Sequence, residues 1–217
     1  MKRREFSMGA AGALAASAMA LPTGAWAQAK KPEDGVEYMT LDKKVNVDVP
    51  AGKVEVIEFF WYSCPHCNAF EPKLVAWIKK QPADVVIKRV PVAFRDDFVP
   101  QQRLYYTLEA LGKVEELHNK VFLAIHQERL PLQREEQIAD WAEKQGVDKA
   151  KFKELYNSFS VSAKARRAKQ IQDAYEVQGV PALGIAGRYY TDGGLAGNMG
   201  RALEVTDHLI AEARKAR

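Results

Sequence analysis

Ile57-Glu58-Phe59-Phe60-Trp61-Tyr62-Ser63-Cys64-Pro65-His66-Cys67-Asn68-Ala69-Phe70 holds both cysteines of the 217-residue chain, at the end of an apolar run. Val54 to Phe60, with Val54, Val56, Ile57, Phe59 and Phe60, reads as a buried strand. Pro65 suits the first position of a helix, where its missing N–H costs nothing. Cys64 then falls at the N-cap, its sulfur facing unpaired backbone N–H groups and the positive end of the helix dipole. Cys67 lies one turn in, on the same face. A thiolate at Cys64 is favoured, and thiolate is the reactive form. The stretch is a redox site.

Composition narrows the class. Met1 to Glu5 carry Lys2, Arg3 and Arg4, Met8 to Leu21 are small and apolar, and Ala25-Trp26-Ala27 supplies a small-x-small cleavage site. Residues 1–27 therefore read as a signal peptide, too short in apolar length for a membrane span. Arg3-Arg4 is compatible with either the Sec or the twin-arginine route. Its removal leaves roughly 190 residues, one domain or one domain with an insertion. The net charge drops from +4 to about +2, too balanced to argue for nucleic acid or a membrane surface. A disulfide between Cys64 and Cys67 would close almost no loop and so add little stability. The pair makes sense as chemistry, not as a staple.

Along the chain, Val36 to Leu41 reads as an edge strand and Pro65 to about Lys80 as a helix, with Pro72 bending it. Val85 to Phe94 reads as a strand, giving a β-α-β order and parallel pairing. Residues 99–160 turn helical, with Leu104, Leu108 and Leu111, then Val114, Leu117, Val121 and Phe122 at helical spacing, followed by Leu132 to Gln145 and Lys149 to Tyr156. This block reads as an insertion. A helix over Ser162–Gln178, strands either side of an Ala186-Gly187 turn, and a closing helix from Gly200 to Ala216 complete the chain.

Cys64-Pro65-His66-Cys67 after Glu58-Phe59-Phe60, the Gly179-Val180-Pro181 loop and the helical block between them resemble the DsbA family, periplasmic thiol:disulfide oxidoreductases with a thioredoxin fold. The likeness spans the mature chain. It implies an α/β thioredoxin fold built from residues 28–98 and 161–217, with residues 99–160 as an all-helical subdomain. Thioredoxins typically carry Gly-Pro between the cysteines and DsbC-type isomerases Gly-Tyr; neither fits. The second cysteine pair of some DsbA proteins is missing.

The resemblance implies that Cys64 attacks, that Cys67 is its buried partner, and that His66 adds a donor or positive charge near the Cys64 sulfur. Pro181 would be a cis-proline facing the cysteines, with Val180 offering its backbone to substrate. Glu58, sharing strand parity with Val54, Val56 and Phe60, points into apolar surroundings and could relay the Cys67 proton, unless it forms only a surface ion pair. The family places a basic residue near it, here Arg89, with Lys88 as the alternative. No cofactor is implied beyond the Cys64–Cys67 pair itself. The expected partners are exported proteins with free thiols and a DsbB-like membrane quinone reductase, the enzyme itself being monomeric. An exported reductase or isomerase, or a metal chaperone using Cys64, Cys67 and His66, stand as alternatives; His118 and His126, eight apart, share a helix face but form no ligand spacing.

Overall fold

The computed structural model describes residues 31–216. At its centre lies β2, Val54–Phe60, every residue of which is buried. Five of its seven residues are β-branched or aromatic, and even Glu55 and Glu58 are buried, so the strand is covered on both sides. β3, Val85–Pro91, pairs with it in parallel, with Glu58 opposite Arg89. β4, Ala182–Ile185, pairs antiparallel on the other edge of β2, and β5, Tyr189–Asp192, pairs antiparallel with β4. A two-residue β1, Met39–Thr40, closes the sheet in the order β1-β5-β4-β2-β3. Of the edge strand expected over Val36–Leu41 only Met39 and Thr40 form a strand of the sheet, because Gly35 and Glu37 close a turn back on Tyr38 and Glu33 and Tyr38 bridges to Asp34.

Between β2 and β3 runs α1, Pro65–Ile78, with Pro72 inside it. It ends slightly before the expected Lys80, and β3 stops at Pro91, before the expected Phe94, because its partner β2 ends at Phe60, whose carbonyl takes a last bond from the Val92 N–H at 2.9 Å. Four helices follow, α2 (Val99–Ala110), α3 (Val114–His126), α4 (Glu135–Lys144) and α5 (Lys149–Tyr156). The long α6, Phe159–Ala174, is capped by Ser158, whose side chain accepts from the Val161 N–H; this cap starts the helix before the expected Ser162. It packs on both β3 and α2 and so ties the helical block to the sheet. The closing helix α7, Met199–Lys215, is capped by Asn198.

Two apolar layers flank the sheet. Val54 and Val56 face Phe70, Leu74 and Trp77 of α1 and Leu209 and Ile210 of α7. Ile57, Phe59 and Phe60 join Leu104, Leu108, Leu117, Phe122 and Tyr175, so this second core runs without a break into the helical block. The Ala186-Gly187 turn has both residues at positive φ, 55° and 67°, as the twist of a two-residue hairpin requires. Gly187 also accepts Val45 N–H on its carbonyl at 2.7 Å.

Candidate active site

Cys64 occupies the N-cap of α1 in extended conformation, and Pro65 begins the helix. The Cys64 sulfur accepts the Cys67 backbone N–H at 3.4 Å, so it takes one of the donors a helix start leaves unpaired. Cys64 is 7% exposed and Cys67 fully buried, both in the dithiol form. From the other side, Val180 carbonyl accepts the Cys64 thiol at 3.4 Å, and the Val180–Pro181 bond is cis. The loop before β4 therefore meets the start of α1 at the reactive sulfur, although the two are far apart in sequence.

The two thiols are driven apart electrically. The hydrogen bond from the Cys67 thiol, then backbone N–H groups of Cys67 and His66 and the charge of His66, bring Cys64 down to about 6 against the opposing effect of burial. Burial, with the Cys64 sulfur beside it, pushes Cys67 far above any accessible range. His66 itself is exposed, as is Pro65.

Beneath Cys67 lies a buried charge cluster. Glu58 is 1% exposed, and neither carboxylate oxygen has a hydrogen-bond partner. Burial raises it to about 8; Arg89 pulls the other way and the neighbouring Glu71 adds to the rise. The Arg89 Nε lies 3.6 Å from Glu58, whereas its Nη2 donates to Glu71 at 2.8 Å. Arg89 is thus shared, and its closer partner is Glu71. A surface ion pair is not what the fold builds here. Lys88 instead reaches Glu55, at 2.7 Å.

Glu71 was absent from the sequence-based candidates. Burial opposes its ionisation, but His118 and then Arg89 hold it below the usual carboxylate range. One signal could have found it: Glu71 stands four residues after Cys67, on the same helix face, among Phe70 and Leu74. His118 and His126 do not approach the cysteines as ligands; both contact Tyr62.

A family model for the DSBA-like thioredoxin domain matches residues 55–200. The chain belongs to the DsbA family. It is 46% identical to the thiol:disulfide interchange protein DsbA of Bordetella parapertussis over 203 residues, 93% of this chain and 96% of that one. Against DsbA of Pseudomonas aeruginosa the identity is 43% over 199 residues, covering 92% and 94%. The crystal structure of Pseudomonas aeruginosa DsbA superposes with a TM-score of 0.80 at 43% identity, covering 84% of this chain and 94% of that one. The oxidoreductase DsbA from Xylella fastidiosa gives 0.80 at 30% identity, covering 85% and 99%. The chain is accordingly a thiol:disulfide oxidoreductase with a thioredoxin fold and a helical insertion, as the resemblance implied. The signal-peptide reading of residues 1–27 lies outside the described residues.

Proposed function

We propose that this DsbA-family member is a periplasmic dithiol oxidase that donates its Cys64–Cys67 disulfide to newly exported proteins. The observation that carries this reading is the placement of the Cys64 sulfur on the N-terminus of α1, accepting the Cys67 N–H at 3.4 Å, with Cys67 fully buried behind it. A depressed Cys64 stabilises the reduced enzyme, so the disulfide is readily given away. A substrate thiolate attacks the Cys64 sulfur, the bond to Cys67 breaks, and a mixed disulfide forms. Cys67 cannot leave as a bare thiolate when burial raises it so far, so it needs a proton. Glu58, held protonated at neutral pH and close enough for its carboxylate form to act on Cys67 electrostatically, is the acid at hand. A second substrate thiolate then attacks the substrate sulfur and expels Cys64, whose low pKa makes it a good leaving group. Two substrate thiols become one disulfide, and the enzyme disulfide becomes a Cys67 thiol and a Cys64 thiolate.

Val180, with its carbonyl 3.4 Å from the Cys64 sulfur, would present backbone to an extended substrate, and buried Pro181 would hold that loop in place. A charged Arg89 would balance Glu71 without itself moving protons. On this reading residues 1–27 direct export and are removed, the enzyme works as a monomer, and a DsbB-like quinone reductase restores the disulfide. The test is equilibration of the purified protein with glutathione buffers at pH 7. A potential on the order of −120 mV, the value established for DsbA proteins, supports an oxidase. One near −270 mV, the level of thioredoxins, would make it a reductase.

A further inference from the structure

The short loop that carries the chain from β2 into the Cys64 N-cap, Trp61 to Ser63, is held from outside the thioredoxin fold. Ser63 N–H donates to the Gln101 side-chain oxygen at 3.1 Å, and the Gln101 amide nitrogen donates back to the Ser63 hydroxyl at 2.7 Å and to the Leu132 carbonyl at 3.0 Å. Tyr62 is gripped at both ends. Its hydroxyl meets His118 Nδ1 at 2.9 Å, and its backbone carbonyl takes His126 Nε2 at 2.8 Å. A carbonyl only accepts, so Nε2 of His126 carries the hydrogen. His118 Nε2 faces Glu71 at 3.6 Å on the opposite side of its ring. Gln101 is 2% and His118 4% exposed, and Phe60, Tyr105 and Phe122 stand edge-on or tilted around the His118 ring. His118 Nε2 makes no hydrogen bond itself, but the bonds to Ser63, Tyr62 and Leu132 are all made inside the protein, where a low local dielectric strengthens them.

We propose that Gln101 of α2 and His118 and His126 of α3 are positioning residues for the redox reaction, clamping Trp61–Ser63 so that the Cys64 sulfur stays on the N-terminus of α1. The helical insertion thereby sets the reactivity of a thiol whose own hydrogen bonds run to Val180 and Cys67. The geometry supports this because the clamp acts immediately before the N-cap. A loop free to shift there lengthens the 3.4 Å contact between the Cys64 sulfur and the Cys67 N–H, and that contact fades steeply with distance and angle. The proposal rests on the dithiol reading above.

The test compares wild type with His126→Ala, His126→Gln and Gln101→Ala in the full mature protein. The Cys64 pKa is read from thiolate absorbance, the redox equilibrium from glutathione buffers, and global stability from denaturant unfolding. Loss of either donor is expected to raise the Cys64 pKa by about half a unit and shift the glutathione equilibrium about threefold toward the disulfide form at pH 7. His126→Gln, whose amide can still donate to the Tyr62 carbonyl, should recover most of the shift. Should the alanine variants fail to fold, Tyr62→Phe and Ser63→Ala each remove one side-chain bond of the clamp and are read the same way. A folded set whose pKa and equilibrium match wild type, whatever its stability, overturns the clamp. A wild type that exchanges no disulfide with glutathione would instead overturn the oxidoreductase reading.

Discussion

Lowering the pH through about 6 should change the slope of the Cys64–Cys67 potential, because only one of the two thiols titrates in the accessible range. Cys64 sits at about 6 against an ordinary value of 9.0, and Cys67 stays protonated throughout. Below the Cys64 pKa, reduction takes up two protons per two electrons and the potential falls by about 60 mV per pH unit. Above it, one proton suffices and the slope halves to about 30 mV. The sign follows from linkage. A depressed acid stabilises the reduced form above its pKa, and that stabilisation disappears as the pH falls through about 6. At pH 7 it amounts to about 1.4 kcal/mol relative to an unperturbed thiol, equivalent to about 30 mV. The assay is equilibration with glutathione at half-unit steps between about pH 4.5 and pH 8, paired with thiolate absorbance of the reduced protein. One uniform slope near 30 mV across that window would put the Cys64 pKa well below 6 and refute the assignment of its depression to the contacts described.

Glu58→Gln should stabilise the fold increasingly as the pH rises. A carboxyl raised from 4.5 to about 8 makes the native state bind the extra proton, so its cost grows between those values and reaches the order of 3 kcal/mol at pH 7; unfolding at pH 4.5 and 7 that shows no difference in the variant's gain would contradict it. Arg89→Met should destabilise by about 3–5 kcal/mol in urea unfolding, since Glu71 loses its 2.8 Å partner while remaining buried. A loss under about 1 kcal/mol would show that Glu71 is carried by His118 alone. Gly187→Ala should cost at least about 2 kcal/mol, because a Cβ there would stand 2.0 Å from the Val45 carbonyl oxygen on a backbone at φ +67°. A melting temperature unchanged from wild type would disprove that crowding.

The reactive pair was legible in the sequence because its chemistry is local. Proline at the first helical position, cysteine before it and a second cysteine one turn later together define the N-cap sulfur, and β2 announces itself by apolar content alone. Glu58 could be placed by strand parity and Arg89 by a count along its strand; the parallel register of β2 and β3 sets the two opposite each other. What the sequence could not show is which partners the buried charges choose. Arg89 reaches Glu71 more closely than Glu58, and Glu71 in turn faces His118, because α1, β3 and α3 converge at one point from separate parts of the chain. Gln101, His118 and His126 carry no motif at all. Their spacing describes only helices, and their purpose appears when α2 and α3 are packed against the loop before Cys64. Local sequence determines helix starts, strand faces and the intrinsic bias of a thiol, since those depend on neighbours along the backbone. Pairing among buried polar groups depends on distances across the core, and only the tertiary structure sets those.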